Sequence, residues 1–139
     1  MTTISVYDVN SYISNHSMIT SLLGRSIKIY PTIGYGDTNG PFIVYDFLPS
    51  IPNVEAYWMR KDYILYTIYD TDIDRAFQLM EILFYLLGRG DEVAQPGGID
   101  GTDVRILSSI IEGTSVEPPE ERDGWYKMRI EFCILHVKK

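Results

Sequence analysis

The sequence predicts one α+β domain: a mostly antiparallel sheet of about five strands with two helices packed on one face, in the order α-β-β-β-α-β-β. Three observations predict it. From Tyr63 to Leu87 the hydrophobic rhythm changes from a two-residue to a near-3.6-residue period, so a strand runs straight into a helix. The last stretch alternates, with Tyr126, Met128, Ile130, Phe132 and Ile134 on one side and Lys127, Arg129 and Glu131 on the other, as a strand with one covered face does. No strand-helix-strand unit recurs, which favours antiparallel over parallel pairing. A length of 139 residues fits a single domain, and no internal repeat is visible.

The first element lies between Val6 and Leu23, where the positions Val9, Tyr12, Ile13, His16, Ile19, Thr20 and Leu23 share one helical face, and Gly24 stops the helix. Thr2, Thr3 or Ser5 can cap its start, and Ser11, Ser14, Asn15 and Ser17 make it a helix that packing must hold. Ile27–Tyr30 is a short strand ended by Pro31, and the loop sequence TIGYGDTNG comes next. Phe42–Phe47 is a second strand, which Pro49 and Pro52 keep from continuing. Residues 48–58 form a connection carrying Ile51, Val54, Tyr57 and Trp58. In the third strand Tyr63, Leu65, Thr67 and Tyr69 face one way and Ile64, Tyr66 and Ile68 the other. Asp70, Thr71 and Asp72 then offer oxygens to the first N–H groups of a second helix, whose buried stripe is expected at Ile73, Ala76, Phe77, Met80, Phe84 and Leu87. GRGDEVAQPGGIDG reads as a loop. Asp103–Glu112 is a fourth strand with Val104, Ile106 and Ile110 on one face and Ser108 completing it, and EPPEE is a stiff acidic connection to the last strand.

Composition excludes several function classes. A net charge of −7 argues against a nucleic-acid-binding surface, whose affinity comes from lysine and arginine displacing counterions. The bland reading of the acidity is solubility. The sharper one is a channel wall along which DNA slides without sticking. One cysteine, Cys133, leaves no intramolecular disulfide and no cysteine-based zinc site, and its apolar surroundings make it a buried filler. The N-terminal stretch lacks the basic start and apolar core of a secretory signal, and no apolar run approaches a membrane span, so a reducing cytoplasm is the expected place of folding.

The chemical candidates are thin. His16 and His136 have no second ligand at metal spacing and read as structural; no G-x-S-x-G elbow or P-loop is present. Asp70, Asp72 and Asp74 are three acids in five residues, as a magnesium site could use, but helix-start chemistry accounts for two of them without an ion. No catalytic residue, cofactor or metal is therefore assigned.

Certain features resemble the phage tail terminator, or tail-completion, family of long-tailed bacterial viruses. They are a first helix ending Thr20-Ser21-Leu22-Leu23-Gly24, then Ile27-Lys28-Ile29-Tyr30-Pro31, a Gly/Asp-rich loop, Pro41-Phe42-Ile43-Val44-Tyr45, and a strand passing through Tyr69-Asp70-Thr71 into a helix. The resemblance implies a non-enzymatic virion protein. It would form a homo-oligomeric, hexameric ring at the head-proximal end of the tail tube, with the tail tube protein and a head-completion or connector protein as partners. DNA would pass through without specific binding, no membrane would be involved, and assembly would take place in the host cytoplasm. GRGDEVAQPGGIDG and EPPEE depart from the commonest family pattern. Ring closure requires one patch to meet a different patch on the next subunit. The candidates are strand edges and Tyr35, Asp37, Tyr57, Trp58, Arg60, Arg89, Asp91, Glu120 and Trp125, several of them types that dominate interface energies. The rival readings are another neck, head-completion or tail-tube ring protein, and a small-molecule-binding module with a pocket between helices and sheet.

Overall fold

The computed structural model describes residues 5–31, 40–49, 59–89, 99–102, 104–117 and 124–138. Among these are three helices, α1 (Val6–Ser14), α2 (Ser17–Leu23) and α3 (Ile73–Leu87), and six strands. The strands are β1 (Lys28–Pro31), β2 (Phe42–Pro49), β3 (Met59–Asp70), β4 (Ile99–Asp100), β5 (Val104–Glu117) and β6 (Tyr126–Lys138). They form one sheet in the order β1-β2-β3-β6-β5-β4, parallel between β1 and β2 and antiparallel elsewhere. The α+β class with helices on one sheet face is as the sequence predicts, with one more helix and one more strand than expected.

The extra helix comes from a break at Asn15 and His16. His16 adopts an extended conformation and its Nδ1 accepts from the Met18 N–H at 3.2 Å, so it caps α2 instead of sitting on a continuous helical face. The break frees the end of α1 to hold the next segment: Ser14 Oγ donates to the Ile27 carbonyl, and the Ile27 N–H donates to the Ser14 carbonyl. Val9, Ile13 and Ile19 still bury together across the break, which is why the apolar face looked continuous in sequence. The chain leaves α2 at Gly24, whose φ of 70° is the left-handed turn a glycine supplies cheaply.

The joint between β3 and α3 is built by Asp70 and Asp72. Asp72 Oδ1 accepts from the N–H groups of Asp74 and Arg75, capping the helix. Asp70 is buried and accepts from the Asp72 N–H, while Arg75 donates to both its carboxylate oxygens at 2.8 and 2.7 Å.

α3 buries Ala76, Leu79, Leu83, Leu86 and Leu87, whereas Ile73 and Phe77 are 36% and 40% exposed. The stripe expected from sequence is therefore rotated. Apolar residues make up most of the helix and cover well over half its circumference, so periodicity alone does not fix which arc meets the sheet. Gly88 ends the helix where there is no room for a side chain: a Cβ would lie 2.6 Å from the Phe84 carbonyl oxygen and 2.8 Å from Ile111 Cδ1.

β5 runs further than expected, to Glu117, and carries two register shifts, between Ile106 and Ser108 and between Ile111 and Gly113. A bulge adds one residue to one strand and reverses the facing of the residues beyond it. Val104 and Ile106 face the helices as predicted. Ser108 and Ile110 do not; Ser109 takes the buried position, and Ile110 lies on the other face, 46% exposed. Ile64, Tyr66, Ile68, Met128, Ile130, Phe132 and Ile134 complete the helix-side core together with α1, α2 and α3.

Leu83 and Phe77 separate the observed packing from the expected one. Leu83→Ala should lower unfolding free energy in urea by about 3 kcal/mol, because a fully buried side chain leaves a cavity. Phe77→Ala should cost about 1 kcal/mol or less, and the reverse order would place the stripe where the sequence put it.

Candidate functional site

α1 is pinned across the sheet by polar contacts. Tyr66 is wholly buried, burial holds its hydroxyl well above the ordinary tyrosine pKa, and that hydroxyl donates to Asn10 Oδ1 at 2.7 Å. The Asp8 carboxylate accepts from the Thr102 and Val104 N–H groups, tying the turn between β4 and β5. At the start of α1, Ser5 occupies the capping position without capping the helix; its hydroxyl and its N–H both donate to Asp62 Oδ2, at 2.8 and 3.2 Å. His136 Nε2 lies 2.6 Å from the same oxygen.

Ser5, Asp62 and His136 are the residue types of a hydrolytic triad, wired in the wrong order. In a working triad the imidazole takes the serine proton and the carboxylate orients the imidazole. Here the carboxylate stands between the other two, so the serine proton points at Asp62 and no base faces its oxygen. All three are at most 1% exposed, leaving no path for a substrate. The cluster is a latch between α1, β3 and β6. Burial alone would raise the Asp62 carboxyl, but the hydrogen bonds from His136 and Ser5 outweigh that and hold its pKa below the ordinary carboxylate value.

Elsewhere the chemistry is equally quiet. Cys133 is buried, burial pushes its thiol pKa up, and it stays a protonated filler. Among the described residues no three histidine, cysteine, aspartate or glutamate side chains are grouped to hold a metal; Asp70 and Asp72 instead serve the start of α3.

The remaining candidate is a surface. On the sheet face away from the helices, strand register lines up Leu48, Tyr63, Cys133 and Ile110 in one row across β2, β3, β6 and β5. Leu48 is 67% exposed. The next row is Asp46, Leu65, Glu131 and Gly113, and a shallow depression is lined by residues of both rows, among them Asp46, Leu48, Tyr63, Leu65 and Glu131. At the β3 C-terminal end of this face the rings of Phe42 and Tyr69 stack at 4.9 Å, and Trp125 meets Phe42 edge-on at 5.3 Å. This apolar row needs pairing register to be found. In sequence only its β3 part was legible, as the second face of the Tyr63–Tyr69 alternation.

Of the residues singled out from sequence, Tyr35, Asp37, Tyr57, Trp58, Asp91 and Glu120 lie outside the described residues. Arg60 is half-buried on the helix side of β3, opposite His136. Trp125 directly precedes Tyr126, which pairs with Asp70. Arg60 and Trp125 therefore stand at opposite ends of the β3–β6 pair, roughly 30 Å apart at strand spacing. Arg89 comes just after α3, exposed, with its guanidinium over the Tyr85 ring at 4.9 Å. The structure does not gather these three into one site.

Removing the latch carboxylate should be costly. Asp62→Ala should lose about 3 kcal/mol, since it leaves buried donors unpaired. A carboxyl with a depressed folded pKa contributes stability that is complete above its unfolded value of about 4 and lost as pH falls through the folded value. The stability gap between the natural chain and Asp62→Asn should accordingly shrink below about pH 4; a gap unchanged in acid would contradict an ionised Asp62.

No protein-family model matches this chain, and no curated protein sequence matches it. Among solved structures it is similar to a chain of the virion of a native gene transfer agent particle, with a TM-score of 0.65 at 12% identity, over 96% of this chain and 93% of that one. At that identity the likeness is one of fold, and it takes in nearly the whole of both chains.

Proposed function

We propose that this chain is a structural component of a phage-like virion, and within such a particle a tail terminator. Its subunits would close into a hexameric ring at the head-proximal end of the tail tube. The ring would stop tube growth and offer its other face to a head-completion or connector protein. The observation that carries this reading is the fold likeness to a virion chain over 96% and 93% of the two lengths. A match of that extent in both directions leaves little of either chain unaccounted for.

Physical features support it. The buried serine, aspartate and histidine form a latch that a substrate cannot reach, which favours a building block over a hydrolase. The net charge of −7 suits a ring through which DNA slides without being gripped. One sheet face carries an apolar row whose outer members, Leu48 and Ile110, are exposed, as a surface awaiting a neighbour does. Arg60 and Trp125, at opposite ends of the β3–β6 pair, suit contacts with two different neighbours, and Arg89 extends beyond α3. Tyr35, Asp37, Tyr57, Trp58, Asp91 and Glu120 are proposed as further contact residues.

The same fold-level support extends to a second reading, another neck or tail-tube ring protein. The two differ in what a ring does next: a tube protein stacks on itself, and a terminator binds a tube end and stops. Native mass spectrometry at high protein concentration should show one closed oligomer, with six copies expected, that shortens tubes when added to polymerising tail tube protein. A chain that stacks into tubes by itself favours the second reading. A strict monomer that binds neither tube nor connector protein contradicts both.

A further inference from the structure

The two edges of the sheet are finished differently. β1 is four residues long, ends in Pro31 and exposes Lys28, so it can lend a neighbour only a short ladder. β5 is fourteen residues long, and its outer neighbour β4 pairs only with Arg105 and Ile106. From Ser108 to Glu117 the backbone has β6 on one side and no described strand on the other. Residues 110–116 are all exposed, and this stretch contains neither proline nor lysine. An exposed edge stretch with no strand beside it among the described residues is a template for another strand.

The edge also has an apolar wall beside it. Ile111 and Val116, 38% and 46% exposed, lie on the helix side because they pair with Phe132 and Met128. Ile111 reaches the end of α3 at Gly88. Phe84, Phe77 and Ile73 stand four, eleven and fifteen residues before Gly88, on the same side of the helix. An incoming strand would therefore gain backbone hydrogen bonds from β5 and apolar contact from α3.

We propose that this exposed stretch of β5 takes up β1 of a second copy of the chain, so that the sheet continues from one subunit into the next. Two features select the partner. β1 is the opposite edge of the same sheet, so the contact is head-to-tail and repeats until it closes, as a ring needs. The charges also match: Glu112 on β5 would meet Lys28 on β1 or Arg25 just before it, while Glu117 already accepts from Arg129. A two-fold pairing of β5 with β5 would bring Glu112 towards its own copy, a like-charge arrangement. In β1, Ile29 shares the helix-side face of Ile43, so in the joined sheet it would come to the side occupied by Ile111 and Val116. The pairing rests on the ring reading for its closure only.

Two thiols test it in the full-length chain. A Cβ at Gly113 meets nothing within 4 Å and Lys28 is exposed, so Gly113→Cys and Lys28→Cys should leave the fold intact. A short bismaleimide reagent, whose reach covers a residue pair to either side, should give the double variant a covalent ladder ending at the ring. A mixture of the two single variants should give dimers only, and each single variant and the natural chain should give none. A double variant that assembles by native mass spectrometry but does not cross-link overturns the pairing and leaves the ring standing. Cross-linking by Gly113→Cys alone overturns it in favour of a two-fold contact, and a monomer without cross-links overturns ring and pairing together.

Discussion

Asp70 ends β3 with its carboxylate buried, a position that would be costly for an isolated anion. Arg75, one turn into α3, supplies two parallel hydrogen bonds, and the Asp72 backbone supplies another. The charge is thereby satisfied only when the helix starts at Asp72 and leaves the strand at a defined angle. That constraint lays α3 across β3, β6 and β5 and sets which arc of a largely apolar helix meets the sheet. Leu79 and Leu83 go inward, and Phe77 is left at the rim.

The other end of β3 is fixed by the same means with different groups. Asp62 gathers Ser5 from the start of α1 and His136 from β6 onto one oxygen. Two buried carboxylates on one strand thus hold the two ends of the helical layer, one through arginine and a cap, the other through serine and histidine. With the helices held against one face, the opposite face keeps its apolar row, and residues 110–116 of β5 stay exposed. Contacts fixed on one face and apolar side chains presented on the other suit the proposed role of an assembling subunit.

Much of this was legible in the sequence because alternation and capping are local. The strand-to-helix switch at Asp70, the strict alternation of β6 and the stop at Gly24 each depend on residues within a few positions of one another. What was missed depends on partners far along the chain. The first helix ends at Ser14, whose backbone and side chain hold Ile27, and Ser5 forgoes capping because Asp62 lies beneath it. Ile110 turns outward because of register shifts that only pairing with β6 reveals. The Leu48-Tyr63-Cys133-Ile110 row joins residues from four strands and has no counterpart in linear order. Six of the nine contact residues chosen from sequence fall outside the described residues, and the other three stand apart from one another.

A building block and a catalyst differ most in which backbone changes when the molecule meets its own kind. Hydrogen–deuterium exchange, compared between dilute chain and assembled oligomer, reads this amide by amide. Slower exchange on assembly is expected in 108–117 of β5 and in β1, with the protected amides of α3 and β3 unchanged. Equal exchange along β5 in both states would contradict a fold organised to share its sheet with a neighbour.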